Sequence, residues 1–191
     1  MDFISGTAAG LNQGAFAGVS RYRRRMFIET LGWPLDSPPG EERDQFDRHD
    51  TVYVVARNDA AEVIGCARLL PTRSPYLLAE VFPELLGGMP APCAADIWEL
   101  SRFAALDFNS DQTSALPSWS SPLAVALLRQ TLACAAAHGA RRLITVSPIG
   151  IERLLRRAGF DARRAGPPVI VDGHPLFACW IEVPQVPSHP D

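Results

Sequence analysis

A set of charged and aromatic residues, with one serine, is spread over the first 102 positions of this chain and could carry chemistry. They are Arg23, Phe27, Trp33, Asp44, Asp47, Arg68, Glu99, Ser101 and Arg102. A charge buried alone is expensive, whereas charges buried in matched pairs are tolerated. Three acids (Asp44, Asp47, Glu99) and three arginines, separated by apolar runs, therefore predict one polar cleft in an otherwise apolar fold.

Glu99 is the candidate general base, the group that would take a proton from a nucleophile. In the run from Trp98 to Arg102, Glu99 and Ser101 alternate with their neighbours on a predicted strand, so they share one face. Arg102 falls on the other face, and a β-bulge could return it to the cleft. From the residue pattern alone, a structural Glu–Arg pair at a strand end explains this run more readily than catalysis.

Asp44 and Asp47 are three residues apart, which on a helical turn would place both carboxylates on one side. The alternative is a solvated acidic loop together with Glu41, Glu42 and Asp50. Arg68 ends a β-prone run without an evident partner in its own segment. It is either a surface residue or a clamp for a carboxylate.

A second charged feature lies in the C-terminal half, where positions 141–164 carry seven arginines against two acids. Arg153 and Arg157 are four apart on a predicted helix and so share a face. One interpretation is a solvated basic face, and the other is a docking surface for an acidic protein, steered by opposite charge.

Composition narrows the class of protein. The 191 residues predict a single domain over 1–191, with residues 1–12 mobile, and a hydrophobic content of 47% is enough for a real core. A net charge of -3 gives no reason to expect nucleic-acid binding. The four cysteines form no C-x-x-C pair, so neither a metal site nor a redox motif is indicated. Without a secretory signal or a membrane-spanning run, we expect a cytoplasmic protein with no membrane partner.

Hydrophobic periodicity predicts mixed strands and helices. We expect helices over 14–31, 76–86 (interrupted at Pro83), 122–138 and 149–158, and strands over 51–57, 62–70, 97–106, 142–147, 169–172 and 176–183. The segment 107–121 reads as a loop. This order, with its antiparallel hairpins, favours an α/β or α+β sandwich.

From about residue 21 to residue 183, the spaced motifs resemble those of the LuxI-type acyl-homoserine-lactone synthases, which make quorum-sensing signals. The resemblance implies a three-layer α/β (α+β) fold like that of the GNAT acyltransferases, a mixed twisted sheet with helices on both faces and a V-shaped opening between central strands. It implies that S-adenosylmethionine is a substrate, that acyl carrier protein is the acyl-bearing partner, and that no cofactor is needed. The amine would attack the acyl thioester, and lactone closure would release 5′-methylthioadenosine.

The resemblance also assigns roles to residues. Glu99, with Ser101 and Arg102, would serve deprotonation of the substrate amine. The predicted pocket for S-adenosylmethionine comprises Arg23, Phe27, Trp33, Asp44, Asp47 and Arg68. The predicted acyl pocket comprises Thr145, Phe82 and Trp98, and the predicted carrier-protein surface comprises Arg153, Arg157, Arg163 and Arg164.

The Thr145 hydroxyl would contact an oxygen on the third carbon of the acyl chain. Alternatively, it bonds a backbone carbonyl and tolerates an unsubstituted chain.

Two rival functions stay open on sequence grounds. The first is an ordinary GNAT acyltransferase that uses acyl-CoA. Such enzymes usually carry a Gly-rich pyrophosphate loop at a helix N-terminus, and the segment from Ser118 to Pro122 lacks one. The second is a non-enzymatic module that keeps only the basic surface, which the polar residues of the N-terminal half disfavour.

Overall fold

The computed structural model describes residues 1–109 and 121–185, and these residues form one sheet of eight strands. The strand order is β1-β2-β3-β4-β5-β8-β6, with β7 paired to β8. All neighbours run antiparallel except β4 and β5, which run parallel. The strands are β1 (Asp2–Thr7), β2 (Val52–Arg57), β3 (Val63–Pro71), β4 (Ile97–Ala105), β5 (Arg142–Pro148), β6 (Ala162–Arg164), β7 (Val169–Val171) and β8 (His174–Glu182).

The described residues form four α-helices, and two of them begin at a side chain that caps the helix. The four are α1 (Gln13–Arg23), α2 (Leu77–Val81), α3 (Pro122–Ala137) and α4 (Ile151–Arg157). The Asn12 side chain accepts the backbone N–H of Ala15 at 2.7 Å and caps α1. Ser121 caps α3 in the same way at 3.1 Å. A π-helical turn (Arg24–Thr30) continues α1, and a 3₁₀ turn (Pro83–Leu86) follows α2.

The helices cover both faces of the sheet. On β2, Val52 and Val54 point into the core under α3 and α4, while Tyr53 and Val55 point to the core under α1. A third cluster lies beside the α1 core on that second face, under α2. This alternation has the two-residue period of a strand. With helices on both faces of a mixed sheet, the predicted three-layer α/β fold is confirmed. No helix in the described ranges is long and apolar enough to span a bilayer.

The parallel strands β4 and β5 separate after a short pairing. Their register covers only Ile97–Glu99 against Arg142–Ile144, although β4 continues to Ala105 and β5 to Pro148. Beyond these pairs the two strands share no ladder hydrogen bonds. They form the V-shaped opening that the family resemblance implied, and Glu99 lies at its apex.

Several local predictions need correction. Residues 2–7 form an edge strand paired along its length with β2, which the sequence did not predict. The predicted helix over 14–31 changes to a wider π-helical turn at residue 24. Strand β6 was not predicted, because three residues are too few to show alternation. The predicted loop over 107–121 lies mostly outside the described residues, and the segment Ser118–Ser120 lies wholly outside them.

Candidate active site

Three arginines and three acids form a closed ring of alternating charge. The ring lies on the second face of the sheet, between the cores under α1 and α2. Each acid bridges two arginines: Glu42 joins Arg23 to Arg102, Asp44 joins Arg102 to Arg68, and Asp47 joins Arg68 to Arg23. The formal charges cancel, so the buried ring needs no further counter-ion. The predicted matched burial is confirmed, with one change of partner: Glu42, and not Glu99, is the third acid.

Asp47 is the most heavily bonded acid of the ring. Its carboxylate accepts the two terminal nitrogens of Arg23 at 2.7 and 3.0 Å, the Nη1 of Arg68 at 3.1 Å and the Tyr53 hydroxyl at 2.8 Å. Burial alone would raise the pKa of Asp47, but the bonds from Arg23 and the charge of Arg68 hold that pKa well below its ordinary value. The carboxylate therefore stays ionised.

The ring is assembled from segments far apart in the sequence. Arg23 ends α1, and the loop before β2 supplies all three acids. Asp44 and Asp47 lie in a tight turn and not on the predicted helical turn: the N–H of Asp47 bonds the carbonyl of Asp44, and the N–H of Asp44 bonds a carboxylate oxygen of Asp47. Both carboxylates still point the same way, because the turn closes over three residues as a helix does.

A β-bulge brings Arg102 into the ring. Between the pairs Cys66↔Ala104 and Arg68↔Ser101, β4 has one residue more than β3. Arg102 lies in this bulge with φ at 48°, a conformation that non-glycine residues rarely adopt. Its side chain donates to Glu42 at 3.1 and 3.0 Å and to Asp44 at 2.9 Å. A β-bulge, which the sequence analysis offered as a way to bring Arg102 to the cleft, is therefore confirmed.

Glu99 stands outside the ring and has no arginine hydrogen-bonded to it in the described residues. Its carboxylate accepts the backbone N–H groups of Leu77 and Leu78, at 3.0 and 2.6 Å, at the start of α2. Burial raises the pKa of Glu99 to about 7, and the two N–H bonds only partly oppose this. An acid poised near neutral pH can accept a proton and later release it.

Ser101 and Arg68 link the ring to Glu99. The Arg68 Nε donates to the Ser101 hydroxyl at 3.0 Å, and Ser101 shares the strand face of Glu99, about 7 Å along the strand. The Nη2 of Arg68 is buried and makes no hydrogen bond in the described part of the chain. One strong donor of the ring is therefore left for a ligand.

Phe27 and Trp33 form an aromatic wall over the ring. Their rings stack with centroids 4.9 Å apart, and the guanidinium of Arg102 lies 5.5 Å from the Phe27 ring and 5.8 Å from the Trp33 ring. Phe27 is buried in the α1 core, whereas Trp33 is 41% exposed. The pair extends from the core to the surface, and an aromatic face can attract a cationic ligand.

The three residues predicted for the acyl pocket are divided between the two faces. Trp98 packs in the α3–α4 core and against His138, while Phe82 packs beside α2 on the other face. Thr145 lies opposite Cys179 of the α3–α4 core, so it shares the face of Trp98. Its hydroxyl donates to the backbone carbonyl of Val146 at 3.3 Å. Only Thr145 and Trp98 could therefore share one side of the sheet.

The predicted docking arginines also differ from one another. Arg163 pairs with Glu182 and Arg164 pairs with Glu152, so their charges are largely matched. Arg153 and Arg157 are exposed on α4, and neither forms an ion pair within the described ranges. Among the four predicted docking arginines, those without an ion pair therefore lie on one face of α4.

The sequence interpretation missed two contributors to the site. Glu42 was grouped with solvated acids, although it lies directly beside Asp44 and is fully buried. Tyr53 was assigned only to a strand, yet its hydroxyl bonds Asp47. Nothing in their local sequence distinguishes them, because their partners are contributed by other segments. The described residues contain no group of His, Cys, Asp or Glu side chains placed to hold a metal ion.

Comparison with known proteins gives a consistent result. Residues 10–185 match the family described as Autoinducer synthase. An acyl-homoserine-lactone synthase of Acinetobacter nosocomialis is 52% identical over 183 residues, covering 96% of this chain and 100% of that protein. An acyl-homoserine-lactone synthase of Ralstonia solanacearum is 46% identical over 175 residues, covering 91% of this chain and 84% of that protein.

Solved structures are similar over nearly the whole chain. TofI in a ternary complex with an inhibitor and MTA has a TM-score of 0.81 at 45% identity, covering 96% of this chain and 92% of that one. BjaI, a CoA-dependent acyl-homoserine lactone synthase solved with SAM and isopentyl-CoA, has a TM-score of 0.82 at 26% identity, covering 95% and 82%. An acyl-CoA N-acyltransferase from Pseudomonas aeruginosa, 16% identical with a TM-score of 0.64, shares the fold.

Proposed function

This chain belongs to the autoinducer synthase family, and we propose that it makes an N-acyl-homoserine lactone from S-adenosylmethionine and an acyl group carried by acyl carrier protein. The amine nitrogen of S-adenosylmethionine attacks the thioester carbonyl, and the carrier thiol leaves. The methionyl carboxylate then attacks its own γ-carbon. The bond from that carbon to sulfur breaks, and 5′-methylthioadenosine leaves with the electron pair.

The unbonded Nη2 of Arg68 is the observation that carries the assignment of S-adenosylmethionine to the ring. A guanidinium nitrogen that is buried without an acceptor favours binding of a carboxylate, and the substrate supplies one. Phe27 and Trp33 lie on the same side, and the exposed part of the Trp33 ring would attract the sulfonium. The ring and the aromatic residues together would hold the carboxylate and the sulfonium of the substrate without requiring a cofactor.

Glu99 is the proposed base for the first step. Its raised pKa means that the carboxylate is ionised above about pH 7 but remains a competent proton acceptor. The two backbone N–H bonds from α2 hold the carboxylate in one orientation at the apex of the V. The amine would enter between Glu99 and the ring, where Ser101 lies.

The unmatched arginines on α4 support acyl carrier protein as the acyl donor. α4 begins three residues after the end of β5, which places Arg153 and Arg157 near the mouth of the V. An acidic partner that docks there could extend its thioester arm between β4 and β5. The alternative donor is acyl-CoA, which the similarity to CoA-dependent BjaI favours.

A donor comparison tests the proposal. We would measure release of 5′-methylthioadenosine with S-adenosylmethionine and one acyl group, presented either on acyl carrier protein or on CoA. The proposal expects the carrier-protein thioester to give the higher kcat/KM. Higher kcat/KM with acyl-CoA would assign CoA as the donor, and no release with either thioester would contradict lactone synthesis altogether.

The location of the protein follows from its substrates. Acyl carrier protein and S-adenosylmethionine are cytoplasmic metabolic partners, so we place the enzyme in the cytoplasm. The four cysteines are unpaired, in keeping with a reducing compartment.

A further inference from the structure

A single hydroxyl in the loop between the π-helical turn and β2 binds both backbone groups of one residue. The Ser37 hydroxyl accepts the N–H of Arg43 at 2.7 Å and donates to the carbonyl of Arg43 at 3.0 Å. Ser37 is half-buried, although the residues on either side of it in the chain are exposed. Its side chain therefore closes the loop over residues 37–43.

The two bonds to Ser37 hold the two peptide units on which two acids of the ring are mounted. The N–H of Arg43 belongs to the peptide that joins it to Glu42, and the carbonyl of Arg43 belongs to the peptide that joins it to Asp44. Because a peptide unit is rigid and planar, holding its N–H or its carbonyl also restricts the Cα atoms at its ends. The peptide before these two is held by α1, where the carbonyl of Ser20 accepts the N–H of Glu42 at 3.0 Å.

Glu42 and Asp44 are the two acids that bind Arg102. The guanidinium of Arg102 donates to Glu42 at 3.1 and 3.0 Å and to Asp44 at 2.9 Å. Arg102 has a φ of 48°, which non-glycine residues rarely adopt, so these contacts must help to hold it in place. Trp33 lies only four residues before Ser37, and the closed loop therefore also joins the aromatic wall to the ring.

We propose that Ser37 is a positioning residue, which sets Glu42 and Asp44 against Arg102 and so preorganises the pocket for S-adenosylmethionine. This inference rests on the proposed function, which assigns that substrate to the ring. Without the hydroxyl, the two acids would be less ordered in the free protein, and the substrate would have to order them as it binds. Glu99 is held separately by α2, so the cost falls on binding and not on the chemical step.

The test compares Ser37→Ala, which removes the hydroxyl, with Ser37→Thr, which keeps it. KM and kcat are measured from release of 5′-methylthioadenosine, and Kd for S-adenosylmethionine is measured by titration calorimetry without an acyl donor. Ser37→Ala should raise KM and Kd for S-adenosylmethionine about tenfold, the size expected when two neutral hydrogen bonds are lost. It should leave kcat and KM for the acyl thioester nearly unchanged, and Ser37→Thr should return both affected constants close to wild type.

The matched control is Ser121→Ala. The Ser121 hydroxyl also accepts a backbone N–H, but it caps α3 on the opposite face of the sheet. Its loss should lower the free energy of unfolding in urea and leave Kd for S-adenosylmethionine unchanged, which separates positioning from general stability.

Three results would overturn the inference while leaving lactone synthesis intact. They are an unaltered Kd in Ser37→Ala, equal effects of Ser37→Ala and Ser37→Thr, and equal effects of Ser37→Ala and Ser121→Ala on Kd. A Ser37→Ala protein that does not fold would also overturn it, because the hydroxyl would then serve the fold as a whole. Failure of the wild type to bind S-adenosylmethionine would instead contradict the proposed function.

Discussion

Replacing Glu99 by Gln should leave the protein folded and remove most of its turnover. The substitution keeps the shape of the side chain and one acceptor oxygen. It removes the charge and the ability to take a proton. The structure allows both consequences to be worked out, because the carboxylate has two defined partners, the N–H groups of Leu77 and Leu78.

The effect on stability depends on pH. The pKa of Glu99 rises from 4.5 to about 7 on folding, so the folded protein binds more protons than the unfolded chain between these values. The free energy of unfolding of the wild type therefore falls as pH rises through this window and is level above it. A shift of this size corresponds to about 3 kcal/mol. The Gln variant does not undergo this pH-dependent fall in the free energy of unfolding. It leaves one N–H without an acceptor, however, which costs about 1–3 kcal/mol. The two effects are of similar size, so at pH 8 the two proteins should be comparably stable.

Activity should respond much more strongly. Loss of general-base assistance lowers the rate by roughly 10²–10⁴-fold, and the rise of kcat/KM with pH near 7 should disappear from what remains. One assay is release of 5′-methylthioadenosine at varied substrate concentrations across about pH 6–9, a range that spans the pKa of about 7. The other is urea unfolding at the same pH values. A folded variant with turnover within a few-fold of wild type would refute the role of Glu99 as a base.

The remaining predictions concern docking, the ring and acid stability. Arg153→Glu combined with Arg157→Glu should raise KM for the acylated carrier protein at low salt and leave KM for S-adenosylmethionine unchanged. The matched control is the same double charge reversal at Arg21 and Arg25, which are exposed on the other layer. Equal effects of the two double variants would contradict docking on α4. Glu42→Gln should lower the free energy of unfolding by about 3–5 kcal/mol, because it leaves two buried arginines without their shared acid; urea unfolding that matches wild type would refute a structural role for the ring. The depressed pKa of Asp47 stabilises the fold above its ordinary pKa near 3.8, so stability should be lost as pH falls below about 4; Asp47→Asn should remove part of that acid slope in unfolding experiments, and an unaltered slope would contradict the assignment.

Much of this protein was determined by residue type and spacing alone. Strand and helix periods predicted the layers, since burial of one face imposes a two-residue or 3.6-residue pattern wherever the element lies. The charge pattern predicted a buried, matched cluster, because unpaired buried charges are too costly to retain. The motifs from Arg23 to Arg102 also carried the family resemblance, and the family match agrees with it.

Only the tertiary structure decided which charges meet. The ring contacts join residues 19 to 60 positions apart, and local spacing does not encode which acid approaches which arginine. A single extra residue in β4 decided that Arg102 faces the ring and not the opposite core, because each added residue reverses the face of a strand. The same geometry left Glu99 hydrogen-bonded to backbone N–H groups in place of an arginine. Burial raises its pKa toward neutral pH, and the N–H bonds and the charges of Arg68 and Arg102 oppose this only in part.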